Sequence, residues 1–509
     1  MDGLSEFARW AAEFDIADAP ADVVSRARLQ VANAIAAAHA GRTESWLSAL
    51  SKPTGEVTAI GGDQTDPYTA AFLNAAAGMV HDYDDYLFMG HTGHSAVFAS
   101  LAACEQAELD GAALLENVII ANELEGRLGA AVAVGPHNGQ MWAFIHQAGA
   151  AAVAANTRED GDATHLEHAV GMALYNPDYP LEAGFIDSDA KAFTAAAPTA
   201  SGLRIGESAV AGATASPDAL ANFLSSYAYL PMPEMVDGFG ASWVTRTTSY
   251  KPRPGCAYVQ SPLECLEALL EDGVTADDIE RITVRAPLLS FGMEGMSAPY
   301  RDERLLPVNV TFSVQYTLAL ALVAGSVTPA VLTREYLESN RRELDAMAEK
   351  IELEHDWELT ANVLSGLGKG VDYGPLLSSR GIGETLRAFK QLGDAHDSVD
   401  TVGETLKLVR SGKALSVVRA LQSPLGWETF AIEDAQFENL EFAFGAVVAV
   451  ETKTDRYRVR ARDHAGSCGR SLDSVTETVA EKFERETEQE FTRLDALDQR
   501  EITAVTTVL

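Results

Sequence analysis

A chain of 509 residues with 47% hydrophobic side chains exceeds the usual size of one core and predicts two domains, or three. Its 74 acidic residues against 38 basic ones leave a formal charge of −36, which excludes a nucleic-acid binder, because neutralising phosphate needs a basic surface. The carboxylates are spread through helix-like segments rather than gathered in a tail, so they predict a soluble enzyme working in concentrated salt, not a disordered acidic region.

The first residues, "MDGLSEFARWAAEFD", carry neither the basic nor the apolar part of a secretory signal, and a cytoplasmic protein is expected. From residue 1 to about 230 the pattern is helical. Alanine-rich segments such as "VANAIAAAHAG", "NAAAGMVHDY" and "HQAGAAAVAANT" recur between glycine, aspartate or proline breaks and predict closely approaching helices. The texture changes at "YKPRPGC" (Tyr250 to Cys256), whose prolines stop any helix. A helix-like "SPLECLEALLEDG" then precedes "IERITVRAP", "KIELEHDWEL", "AVVAVETKT" and "RYRVRARD", which alternate as half-buried strands do. The expected fold is therefore mainly α, with an all-helical part over 1–251 and a smaller α+β domain over 252–465. Residues 366–430 have weak periodicity, and "DSVTETVAEKFERETEQEF", within 466–509, is helical again. The longest apolar runs, such as "YTLALALVAGSV", fall short of the roughly 20 residues a membrane span needs. Cys104, Cys256, Cys265 and Cys468 form no CxxC pair, so neither a zinc cluster nor a disulfide framework is expected.

The densest chemistry lies in "HDYDDYLFMGHTGHSA", His81 to Ala96. Gly90 and Gly93 break any helix there, and Ser95 stands where an N-cap belongs. His94 would then face the positive end of a helix, which disfavours its protonation and leaves a neutral base beside an anion site. A metal reading pairs His81 and Asp82 with the distant His39. The plainest reading has Asp84, Asp85 and His91 decorating an exposed loop.

This stretch, followed by "ALLENVIIANELEGRLG", resembles the MmgE/PrpD family, whose "DFDDT", "HPS" and "AIVAGYEVxxRLG" run in this order. "GAAAVAAN", "AKAFTAAAPTASG", "YKPRPGC" and "TFSVQYTLALALVAG" continue the resemblance along the chain. It implies a large helical domain completed by the C-terminal helix, a smaller α+β lid domain and a homodimer. It also implies a cofactor-independent lyase without a metal that acts on a small di- or tricarboxylate, as 2-methylcitrate dehydratase does. Related activities are a cis-aconitate decarboxylase and an iminodisuccinate epimerase, and a non-catalytic paralogue is the remaining alternative.

Carried onto this chain, the family site comprises Asp82, His94, Lys191, Lys251 and Tyr316. His94 would transfer the proton with Asp82 orienting its ring, Lys191 and Lys251 would hold carboxylates, and Tyr316 would donate to a substrate oxygen. Arg253 could add a fork to one carboxylate. The family's next histidine falls on Gln140, flanked by His137 and His146, and another falls on Gln260. Tyr86 replaces the family's threonine, and residues 366–430 look like an insertion in the lid.

Overall fold

Alanine is the strongest helix former and leaves little bulk between neighbouring helices. In the N-terminal half it builds eleven helices among the described residues: α1 (Gly3–Glu13), α2 (Ala21–Gly41), α3 (Ser45–Leu50), α4 (Pro67–Met79), α5 (Gly93–Gln106), α6 (Gly111–Ala131), α7 (Ala143–Asn156), α8 (Ala163–Tyr175), α9 (Glu182–Asp187), α10 (Ala190–Val210) and α11 (Ala219–Tyr227). The computed structural model describes residues 3–50, 52, 54–137, 139–375, 380–395 and 431–509. Starts are set by side chains: Asp66 accepts the N–H groups of Tyr68 and Thr69 at 3.1 Å with Pro67 opening α4, and Asp110 accepts that of Ala113 at 3.0 Å for α6. Helix α6 is buried on nearly every face and is the centre of the bundle. Helices α7 and α10 lie so close that a Cβ at Gly202 or Gly206 would strike the carbonyl oxygens of Gln147 and Ala151.

The later region contains a four-stranded sheet in the order Ile351–His355, Ile279–Ala286, Ala446–Thr452, Arg456–Ala461, formed by the four segments expected to be strands. The first pair is parallel, with Val284 opposite Leu353; the other two are antiparallel, with Val448 opposite both Val284 and Val459. Helices Ala257–Glu271 and Val314–Ala324 cover it through Leu263, Leu266 and Leu318. Of the weakly periodic 366–430 stretch, the described part includes the end of helix Trp357–Gly370 and helix Ile382–Ala395; 376–379 and 396–430 lie outside the described residues. Among the described residues no helix is long and apolar enough to cross a membrane.

Two contacts between segments distant in the chain converge at one place. Asp85–Tyr86 pairs antiparallel with Ser249–Tyr250, and helix Leu472–Thr487 buries Val475, Val479 and Phe483, one helical stripe, in the core that also contains α2 residues. Beside the first of these, Glu123 and Arg127 of α6 form a fully buried pair. Glu123 accepts the N–H groups of Val244 and Thr245 at 3.0 and 2.9 Å, and Arg127 donates to the Ser242 carbonyl at 2.7 Å. The segment that leads to Lys251 is thereby tied to the central helix.

Candidate active site

Helix α4 ends at Met79, and three residues later Asp82 takes a left-handed φ of 53°, a conformation aspartate adopts with less strain than most residues. This turn and the short pairing at Asp85 set the chain of 81–85 against 251–255: Lys251 N–H donates to the Asp84 carbonyl at 3.3 Å, and Gly255 N–H to that of His81 at 3.1 Å. The Lys251 ammonium then reaches between two carboxylates. It donates to Asp82 Oδ1 at 2.5 Å, to the Asp82 carbonyl at 3.2 Å and to Asp84 Oδ1. Gln140, on the single turn Gly139–Met141, donates its amide to Asp82 Oδ1 and, at 3.2 Å, to both oxygens of Asp84. Lys191, in the first turn of α10, brings Nζ within 3.2 Å of Asp82 Oδ2, with the Phe312 ring centre 4.7 Å away.

The histidines gather on Asp84. His91 Nδ1 lies 2.7 Å and His94 Nε2 3.1 Å from Asp84 Oδ2. Asp84, not Asp82, therefore orients His94: the Asp82 carboxylate is occupied by Lys251, Gln140 and Lys191. Asp84 and Asp85 are buried and His91 nearly so, which overturns the exposed-loop reading of all three. Ser95 is not the N-cap. Helix α5 starts at Gly93 with Thr92 before it, and Gly93 gives its N–H to Asp85 Oδ2 at 3.2 Å, so a buried carboxylate already occupies that helix end. The Ser95 hydroxyl instead joins Glu125 at 2.7 Å and His146 Nδ1 at 2.7 Å, and the His146 ring centre is 5.8 Å from that of His94.

Burial and charge oppose each other throughout this cluster. Burial pushes the Asp82 carboxyl up, but Lys191 and Lys251 outweigh it and hold it below the usual range. Asp84 goes the same way, well below, through Lys251 and His91. Burial pulls Lys251 down, and Asp82 and Asp84 more than reverse that, whereas at Lys191 burial prevails and its ammonium is the more acidic of the two. Deeper in, burial lifts Glu125 well above a normal carboxyl and drops His146 well below a normal imidazole.

A cavity of about 340 Å³ lies against this cluster and is walled by both halves of the chain. His91 and Gln140 line it on the cluster side, and Met141, Trp142, Phe185, Cys256, Tyr258, Met293, Met296, Phe312, Phe442 and Phe444 supply much of the rest. Its size is in the range of small-molecule sites. His94 does not line it; His91 does.

Several expected residues lie elsewhere. The Tyr316 hydroxyl donates to Asp345 at 2.7 Å, beside the Arg301 guanidinium, on the sheet side of the molecule. Arg253 pairs with Glu267 at 3.1 Å. His137 bonds the Tyr227 hydroxyl at 2.9 Å and packs on Tyr179. Gln260 ties the lysine-proline turn by donating to the carbonyls of Arg253 and Gly255 at 3.0 and 2.9 Å. The metal reading also loses its geometry: His39 bonds the Val508 carbonyl at 2.6 Å, and the space between Asp82 and Asp84 holds the Lys251 ammonium.

Sequence reasoning missed Asp84 and His91 as members of the cluster, and Lys482. Asp84 had a signal, the alternation of aspartates in "HDYDD". Lys482, buried in the helix Leu472–Thr487, donates to Asn33 Oδ1 at 2.7 Å and to the carbonyls of Tyr83 and, at 3.3 Å, Lys251, clamping both strands of the site. Nothing local in "VAEKFERE" marks it.

A family model of the MmgE/PrpD N-terminal domain matches residues 5–229, and one of the MmgE/PrpD C-terminal domain matches residues 254–367. No curated protein matches the chain at a significant level.

Proposed function

The chain belongs to the MmgE/PrpD family, and from that premise we propose that it is a cofactor-independent hydro-lyase whose reaction resembles that of 2-methylcitrate dehydratase. The observation that carries this reading is the His91–Asp84–Lys251 constellation, whose outermost member, His91, lines a cavity of about 340 Å³. Dehydrating a 3-hydroxy acid removes a proton from the carbon beside the carboxylate and expels hydroxide from the next carbon. His91 suits the first step. Its Nδ1 lies on Asp84, which orients the ring and leaves Nε2 as the nitrogen to take the proton, and Asp84 is itself held by Lys251 and Gln140. His94, on the same carboxylate oxygen, supports Asp84 from behind.

Charge that builds on the substrate's carboxylate during proton removal meets the field of Lys191 and Lys251 and the Gln140 amide, all fixed before substrate enters. The imidazole then returns the proton to the departing hydroxide. A decarboxylase would use the same cations. An epimerase needs a second base on the opposite wall, and among the described residues His91 is the one imidazole lining the cavity. The intact carboxylate–imidazole–lysine set favours catalysis over a non-catalytic paralogue.

The test is proton NMR in heavy water with 2-methylcitrate, citrate, cis-aconitate, iminodisuccinate and simple 3-hydroxy acids. Alkene formation or exchange at the carbon next to the carboxylate is the expected result. No change in any of these acids at any salt concentration would remove the proposal.

A further inference from the structure

Lys482 lies beneath the candidate site rather than in it. The residue is 1% exposed, and its Nζ donates to Asn33 Oδ1 at 2.7 Å, to the Tyr83 carbonyl and, at 3.3 Å, to the Lys251 carbonyl. All three partners are acceptors, so together they use the three N–H groups of an ammonium. A neutral amine has two N–H groups and a lone pair, and cannot serve them all. Two of the acceptors are main-chain oxygens of the site itself. Tyr83 stands between Asp82 and Asp84, and Lys251 is the residue whose ammonium reaches both of their carboxylates. The proton on Lys482 therefore ties together the two segments whose spacing makes the cluster.

The third partner is the unusual one. Asn33, fully buried in α2, turns Oδ1 to Lys482 and leaves Nδ2 buried without a partner among the described residues. An aspartate there would present a carboxylate to the ammonium and forfeit no hydrogen bond at Nδ2. The chain instead surrounds this cation with dipoles: an amide, two carbonyls and the Tyr83 ring, whose centre is 3.7 Å away. The charged groups around it oppose one another. Glu486 of its own helix and Asp84 favour the ammonium, and Arg485 and Lys251 disfavour it. The Tyr83 hydroxyl accepts from Arg485 and donates to Glu486 at 3.3 Å, and His39, further along α2, bonds the Val508 carbonyl. Burial outweighs Glu486 and Asp84 and holds Lys482 well below the usual lysine range.

We infer that Lys482 is a positioning residue whose proton works as a switch: the site is assembled while Lys482 is an ammonium and loosens reversibly when it is an amine. One of the three bonds is then lost and a lone pair faces a carbonyl oxygen, so the Tyr83 and Lys251 backbones separate and the Lys251 ammonium no longer spans Asp82 and Asp84. The alkaline limb of activity belongs to this proton. Its sign separates it from alkaline unfolding. Between the depressed value and the ordinary lysine value of about 10.4, the unfolded chain binds a proton that the folded chain does not, so rising pH favours the fold while it relaxes the site. The inference rests on the hydro-lyase reading for its rate measurement alone.

An isotopic carbon label at lysine Cε reads the switch by NMR without turnover, since the full chain has only ten lysines and the Tyr83 ring current sets the Lys482 signal apart. In the wild-type protein this signal titrates below the ordinary lysine value, and the His91 ring signal shifts with the same midpoint. Asn33→Asp, at a position that does not line the cavity, raises both midpoints by about one pH unit or more, the usual effect of an opposite charge within a few ångströms. The alkaline limb of kcat moves with them, while the far-UV circular dichroism stays constant across it. Lys482→Met removes the limb and lowers kcat at neutral pH about tenfold or more, the scale of a small misplacement at a reacting centre. Wild-type Lys482 titrating with the exposed lysines, or a His91 signal indifferent to it, overturns the inference whether or not Lys482→Met folds. So does an Asn33→Asp limb that coincides with the wild-type one, the result expected if the limb belongs to Lys191. If none of the acids turns over, the hydro-lyase reading falls and the two NMR midpoints decide the switch.

Discussion

Replacing His91 and His94 one at a time separates the group that meets substrate from the group behind it. Both rings bond the same oxygen, Asp84 Oδ2, at 2.7 and 3.1 Å, but the His91 side chain is 13% exposed and lines the cavity while that of His94 is 2% exposed. His91→Ala removes the only imidazole that reaches the cavity among the described residues, so kcat falls by the usual range for a general base, about 10²- to 10⁴-fold. Folding is little affected, since Asp84 keeps Lys251, Gln140 and His94. His94→Ala leaves a void in the interior, since its side chain is 2% exposed, while Asp84 keeps Lys251, Gln140 and His91. The void costs roughly 1–3 kcal/mol of stability, with a loss of kcat smaller than that of His91→Ala. The assay is initial rate by alkene absorbance, with circular dichroism and urea melts on each variant. Exogenous imidazole offers a second readout: the cavity admits it beside Asp84 in His91→Ala and restores part of the rate, but gives it no path to the site vacated in His94→Ala. An inactive, folded His94→Ala beside a near-normal His91→Ala would refute this assignment and restore the expectation drawn from the sequence.

Lys251→Met should destabilise by about 3–5 kcal/mol at neutral pH, because it strands Asp82 and Asp84 in the interior. In the wild-type protein both carboxyls sit below their ordinary range, so their pairing stabilises above pH ~4 and fades as pH falls through the depressed values. In the variant burial acts unopposed by Lys251 and lifts them, so the deficit narrows on acidification; urea melts from pH 4 to 8 that show a constant gap would contradict this. Tyr316→Phe should leave kcat within about twofold and cost on the order of 1 kcal/mol through the lost Asp345 bond; a collapse in rate would return the tyrosine to the site. The melting temperature should climb by several degrees from low salt to molar KCl, as screening relieves a net charge of −36, and a flat profile would count against it. EDTA should leave the rate unchanged, because the Lys251 ammonium holds the space between Asp82 and Asp84; metal-restored activity after chelation would refute that.

The helices and strands were legible because each has a period the core enforces. Alanine-rich runs could pack as helices in the bundle, and "RYRVRARD" alternates since one face of its edge strand lies on the sheet's core. The neighbourhood of the site was legible too, through "HDYDDY" and "YKPRPGC", the two segments that the Asp85–Tyr250 pairing brings together. Which member of each pair does the work was not. Thr92 and Ser95 are equally good candidates to open a helix, and the choice is made by distant partners: Asn122 takes the Thr92 hydroxyl at 2.6 Å and Asp85 takes the Gly93 N–H. Asp82 and Asp84 differ by a single left-handed turn at Asp82, which no local pattern announces. Tyr316 sits in an almost uniformly apolar helix, so its direction depends on what packs there, and Asp345 does.

The chain's charge adds a last step. Only ten of its 509 residues are lysine, against 74 that are acidic. Yet Lys191, Lys251 and Lys482 are among the most deeply buried large side chains in the protein, and all three converge on Asp82, Tyr83, Asp84 and Lys251 itself. Burying an ammonium costs several kcal/mol unless geometry and partners repay it. Lys251 is repaid by two carboxylates; Lys482 has carbonyls and the Tyr83 ring instead, and burial drives its ammonium well below the usual range. A cation with no carboxylate at ion-pair distance among the described residues is poorly explained as an aid to stability, because a well-packed apolar side chain would serve as well. It is better explained by what it fixes: the backbone of Tyr83 and that of Lys251, the two strands whose spacing lets one ammonium reach both Asp82 and Asp84. In a chain this poor in lysine, those that remain in helical, apolar surroundings are therefore the ones to trace first when the site is sought.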